Sequence, residues 1–142
     1  AMEPAVLVLD EPTAGLDPRE RIRFRNIISS FSKDRIVILS THIVSDVEYI
    51  ADEILLMKKG RFLQQGSVEN ITKQVQGQVW ELVTDHAGAQ RVNGLYAVSN
   101  LKNQGDKVAM RILAQDSPAP GAVCVEPVLE DVYLYYFREE AE

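Results

Sequence analysis

A run of five apolar residues, Ala5-Val6-Leu7-Val8-Leu9, stops abruptly at two adjacent carboxylates, Asp10 and Glu11, with Pro12 behind them. Such a run reads as a short strand buried on both faces, as in a parallel sheet. In open α/β sheets, ligands bind outside the carboxyl ends of the strands. An acidic pair placed there suits a divalent cation and, through it, nucleotide phosphates. The simpler alternative is a solvated strand end leading into a turn.

The following residues extend the pattern. Asp17 is placed to cap a helix, Pro18 fits its first turn, and Glu20 stands where a capping box puts its acid. Phe24, Ile27, Ile28 and Phe31 follow the i, i+3, i+4, i+7 rule and predict one face packed on a sheet. Arg19, Arg21, Arg23 and Arg25 fall largely off that stripe and are expected in solvent. A second apolar run, Ile36 to Leu39, closes in Ser40-Thr41-His42, completing a strand–helix–strand unit whose crossover is expected to be right-handed.

In order and spacing, Asp10-Glu11, Ala14 to Pro18 and His42 resemble the ATP-binding-cassette (ABC) ATPases, without gaps from Ala5 to about Glu48. Asp10 matches the Walker B aspartate, Glu11 the catalytic glutamate, Ala14 to Pro18 the D-loop and His42 the switch histidine. The resemblance implies that Asp10 holds Mg²⁺ through a water, since Mg²⁺ keeps part of its hydration shell. It implies that Glu11 polarises the attacking water as general base and that His42 contacts the γ-phosphate of ATP. Asp17 then has two roles, capping its helix and meeting a second ATPase subunit across a nucleotide sandwich. Ser40 and Thr41 are expected to be strand-end hydroxyls without a direct catalytic role.

Two parts of that family's machinery do not occur in the 142 residues. The Walker A loop, G-x-x-x-x-G-K-[ST], cradles phosphates with backbone N–H groups and a lysine; the LSGGQ-type motif caps the nucleotide of the opposite subunit. Both precede Walker B in the family, so the chain is expected to be the C-terminal part of such an ATPase, with Ala1 a tag remnant before Met2. Alone it is expected neither to bind nor to hydrolyse ATP at useful affinity, so neither ATP nor Mg²⁺ is expected as its cofactor. Its first strand would lack a neighbour, and the exposed edge predicts a homodimer.

Composition narrows the partners. The net charge of −6 argues against a nucleic-acid surface. A single cysteine, Cys124, rules out an internal disulfide and is expected to be a small apolar filler. No apolar run approaches the ~18 residues of a membrane span, and no signal peptide is visible. The expected location is cytoplasmic, peripheral to the inner face of the cell membrane, with a separate permease subunit supplying the spans.

Further along, a helix is expected at Val44–Ile50. A hairpin follows, Ile54 to Met57 returning as Arg61 to Gln65 around Lys59-Gly60. Ser67 then caps a helix running to about Val75. The pattern changes near Gln76-Gly77. Strands are expected at 78–84, 95–101 and 107–113, the last two joined by Asn103 to Asp106, with Trp80 facing away from Leu82. A helix is expected at 85–93 and a short strand ending at Val125. A final helix from about Pro127 should align Leu129, Val132, Tyr133 and Tyr136. The fold expected is therefore α/β: the C-terminal part of a P-loop NTPase (ABC) parallel-sheet domain over 1–76, then a small α+β accessory domain over 77–142. Glu126-Pro127-Val128-Leu129-Glu130-Asp131-Val132-Tyr133 resembles the ending of accessory domains in bacterial drug, antibiotic and polysaccharide exporter ATPases.

The function these readings imply is that of an ABC transporter ATPase subunit, hydrolysing ATP to power transport, with export indicated by the ending. The alternative is a non-catalytic dimerisation or interaction module. A non-transport ABC protein of DNA repair or translation fits poorly, because no sustained heptads occur.

Overall fold

The computed structural model describes residues 5–138, so the expectation for Ala1 and Met2 lies outside it. The chain divides into two compact units, Ala1–Ile54 and Leu55–Glu142.

In the first unit, strands β1 (Val6–Asp10) and β2 (Ile36–Ser40) pair in parallel, from Val6 opposite Ile36 to Asp10 opposite Ser40. Helix α1 (Pro18–Phe31) connects them, and α2 (Val44–Ile50) follows β2. Asp17 caps α1 by accepting from the Glu20 N–H at 2.9 Å, as its spacing predicts. α1 and α2 pack on one another, where the Tyr49 hydroxyl donates to Asn26 Oδ1 at 2.7 Å.

Three expectations need correction here. β1 is not buried on both faces: Val6, Val8, Ile36 and Ile38 are exposed, Val8 by 67%. A continuous apolar run leaves strand burial ambiguous, because periodicity cannot say how many layers cover it. On α1, Ile28 is buried but Ile27 is exposed, so the packed stripe is narrower than the apolar spacing suggested. Arg25 is not a solvated charge; it joins a buried carboxylate described below.

The second unit begins with a hairpin of β3 (Ile54–Lys58) and β4 (Arg61–Gly66). Lys59 and Gly60 both have positive φ, 51° and 76°, the backbone of a type I′ turn. Ser67 caps α3 (Val68–Thr72) by accepting from the Asn70 N–H, and a 3₁₀ turn at Lys73–Val75 finishes it. Then come β5 (Val79–Asp85), α4 (His86–Leu95), β6 (Ala97–Gln104), β7 (Lys107–Leu113), β8 (Val123–Cys124) and α5 (Leu129–Phe137). The strands form one sheet in the order β6-β7-β5-β8, with antiparallel pairing throughout.

Alternation along β5 and β7 separates two faces. Leu82, Val108, Met110 and Ile112 form a core with Ala89 and Val92 of α4. Arg111 points the other way and meets Asp131 of α5. Trp80 packs against the same core as Leu82, not opposite it, and donates from its indole to the Ala114 carbonyl at 2.9 Å. The β6–β7 pairing runs to Gln104 opposite Lys107. The turn is therefore two residues, shorter than the four expected, with Gly105 taking the positive φ. α4 extends two residues beyond its expected end and takes Leu95 from the strand. Cys124 is exposed on the short edge strand rather than filling a core.

Candidate functional site

The parallel register of β1 and β2 brings the two strand ends side by side, and with them the residues singled out in the sequence. Ser40, opposite Asp10, donates its hydroxyl to Asp10 Oδ1. One residue on, the chain turns sharply: Glu11 has φ 46°, a left-handed conformation costly for a side chain of this kind. Its N–H donates back to the Ser40 carbonyl at 2.8 Å, which pins the turn to the end of β2.

The Glu11 side chain accordingly lies against the residues that follow β2. His42 Nδ1 is 2.8 Å from Glu11 Oε1, and Thr41 Oγ1 donates to Oε2 at 3.3 Å. With the carboxylate accepting, Nδ1 is the donor, and among the described residues Nε2 has no partner. Thr41 also accepts from the Ile43 N–H at 3.0 Å, fixing the entry to α2. The pair is open to water, with the His42 side chain 74% exposed and that of Glu11 37% exposed. Asp10, Glu11 and His42 are thus gathered at one point. Asp17 stands apart, engaged as the α1 cap.

Ser40 and Thr41 turn out to orient the two carboxylates, a supporting role that sequence reasoning did not assign them. It also missed a buried group. Asp46 of α2 is almost fully enclosed, as is Thr13. The Thr13 hydroxyl donates to Asp46 Oδ2 at 2.5 Å, while Arg25 of α1 supplies Nε at 2.6 Å and Nη2 at 2.5 Å to Oδ1. The available signal was positional: Asp46 sits beside Val47 in a short helix, where an acid on the inward side needs a partner.

Among the described residues, no group of three or more His, Cys, Asp or Glu side chains forms a metal cage. The donors at the strand ends are hard oxygens, two carboxylates and a hydroxyl. That set suits Mg²⁺, which is usually held by one or two carboxylates with water and substrate phosphates completing its shell.

The chain is similar to transporter ATP-binding proteins. It is 43% identical over 76 residues to the energy-coupling factor transporter ATP-binding protein EcfA2 of Lactococcus lactis subsp. cremoris, covering 53% of this chain and 26% of that protein. The protein of the same name from Clostridium perfringens is 32% identical over 114 residues, covering 79% of this chain and 38% of the relative. A solved bacterial Atm1-family ABC exporter with ATP bound aligns at 28% identity and a TM-score of 0.45, over 50% of this chain and 12% of that one. No family model matches. The chain spans between a quarter and two-fifths of the length of these curated relatives. The likeness is to part of these transporter ATP-binding proteins.

Proposed function

We propose that this chain is the part of an ABC transporter ATPase that carries the metal-binding and water-activating carboxylates to the nucleotide. The observation that carries the reading is the convergence of Asp10, Glu11 and His42 at the ends of two adjacent parallel strands. Phosphoryl transfer asks the protein mainly to position groups and to offset charge. When bound, Mg²⁺ would neutralise developing phosphate charge. Asp10, with Oδ1 held by Ser40, would retain it through a water. Glu11 keeps lone pairs beyond those used by His42 and Thr41, so it can orient a water as general base. His42 would present Nε2 to the terminal phosphate.

Two carboxylates without a phosphate cradle repel ATP. We therefore assign phosphate binding to the N-terminal half of the same ATPase domain, which would also cover Val6, Val8, Ile36 and Ile38. Asp17 would meet a second ATPase subunit, and a permease subunit would supply the membrane path, since no described helix is long and apolar enough to cross a membrane. We assign the assembly to the cytoplasmic face of the cell membrane. Residues 1–76 would form the nucleotide-binding portion and 77–142 an accessory domain. Export rests on the Glu126–Tyr133 ending, whereas the named relatives are energy-coupling factor proteins.

Two titrations test the reading. Mg-ATP added to the chain in a calorimeter should give no binding heat, and Glu11→Gln should behave alike; clear binding would overturn the division of labour. Mn²⁺, substituting for Mg²⁺ at millimolar concentration, should broaden the amide signals around Asp10 and Glu11. Broadening that persists in Asp10→Asn, or never appears, would remove the metal role.

A further inference from the structure

The contact between Glu11 and His42 is too exposed to hold itself together, because water screens such a pair and its net worth is small. The left-handed backbone at Glu11 adds to the difficulty. A strained residue persists only where its surroundings over-determine it. Something buried must therefore fix the two segments.

Thr13 lies two residues beyond Glu11, and Asp46 lies four beyond His42. Their side chains meet in a region almost closed to water, joined by the 2.5 Å hydrogen bond from Thr13 Oγ1 to Asp46 Oδ2. The other oxygen of Asp46 is held by the Arg25 guanidinium, so α1 is tied to the same carboxylate. Backbone bonds stiffen both approaches: Leu16 N–H donates to the Thr13 carbonyl at 3.1 Å, and Asp46 N–H to that of Ile43 at 3.1 Å. We propose that Thr13, Asp46 and Arg25 form a positioning clamp that sets the Glu11–His42 geometry, joining the turn after the acidic pair to the helix after the histidine. Its relevance to catalysis rests on the function proposed above; its geometry does not.

The clamp is tested by amide hydrogen exchange on the 142-residue chain without nucleotide, so the result is independent of whether ATP is the ligand. Thr13→Val keeps the side-chain shape but removes the hydroxyl, leaving an oxygen of Asp46 buried and unpaired. The reporters are the Glu11 N–H, bound to Ser40, and the Ile43 N–H, bound to Thr41. The references are the Arg21 and Ser32 N–H groups, bonded within α1 and at its end. Exchange at the two reporters should accelerate about tenfold with the references unchanged, and Thr13→Ser should restore it to within about twofold. Arg25→Lys, which keeps the charge but loses the planar fork, should accelerate the same two amides selectively. Unchanged reporters would overturn the proposal. So would uniform acceleration across all four amides, the mark of a merely stabilising contact, or a serine that fails to rescue.

Discussion

Each unit buries one aspartate and satisfies it with an arginine, but the two pairs hold different things. In the second unit Asp131 is fully enclosed. It accepts from Arg111 Nε at 2.9 Å and Nη2 at 2.8 Å, from the Ser99 hydroxyl at 3.2 Å and from the Val128 N–H at 2.8 Å. Those bonds seat the start of α5 on β6 and β7, and Arg111 reaches on to the Glu126 carbonyl at 2.8 Å. The hydrogen bonds that Arg111 donates to Asp131 raise its pKa above the ordinary guanidinium value, against the lowering effect of burial. A raised base favours the folded state while it stays protonated. That contribution fades only above the unfolded guanidinium value, so alkaline conditions of ordinary strength leave it intact. In the first unit, by contrast, Asp46 reaches a turn that leads directly from an exposed acidic residue. One network locks a helix to a sheet; the other locks a loop to a site.

The largest effect should follow from removing the arginine of each pair. Arg111→Met leaves Asp131 charged, buried and short of its main partner, which should cost about 3–5 kcal/mol. Urea unfolding followed by the fluorescence of Trp80, the chain's one tryptophan and part of this unit's core, measures it. Arg25→Met should cost about 3 kcal/mol, the low end of that range, because Arg25 makes fewer hydrogen bonds than Arg111. Amide exchange at the Glu11 and Ile43 N–H groups reads that loss as local opening. If Arg25→Met proves the costlier change, the contrast between a core lock and a loop lock is wrong.

How far the sequence reveals each unit follows from the range of the interactions involved. The strand–helix–strand order, the Asp17 and Ser67 caps and the meeting of Asp10 with Glu11 are short-range features, decided within a few residues. His42 joined them because equal strand lengths bring parallel strand ends together. Thr13, Arg25 and Asp46 were invisible because their bonds span 21 and 33 residues. No local pattern marks a threonine in a turn as buried. The open face of β1 and β2 was misread for a related reason: an apolar run records what a strand can tolerate, not what covers it. In the second unit, Trp80 and Leu82 alternate correctly, but Val79 and Val83 are apolar as well, and with both faces apolar the phase is lost.

That open face gives the next test. Val8 and Ile38 stand opposite one another and are exposed, whereas the corresponding core of the second unit is covered by α4. Val8→Lys with Ile38→Lys should change the stability of the first unit by no more than about 0.5 kcal/mol per site. If the chain forms the homodimer proposed from its first strand, the double variant should shift it to monomer in light scattering. A parent chain that is already monomeric at the same concentration removes the dimer. A large loss of stability in a monomeric variant would mean that the face is not open.

The smallest effect compares two strained residues. Glu11 and Lys59, one in each unit, are the non-glycine residues with positive φ among those described, at 46° and 51°. At Glu11 the conformation aims a carboxylate at His42, so the strain serves the site. At Lys59 it only turns a hairpin, with Gly60 taking the second left-handed position. A type I′ turn favours asparagine at the first position, because its short polar side chain tolerates this backbone. Lys59→Asn should therefore stabilise the second unit by about 0.5–1 kcal/mol, read as a higher urea midpoint from Trp80. Glu11→Asn relieves the same backbone but shortens the acceptor and removes its charge, so its gain should be smaller or reversed. Equal gains at the two positions would mean that the bonds from His42 and Thr41 to Glu11 contribute nothing to holding the site. The buried clamp would then be all that holds that geometry.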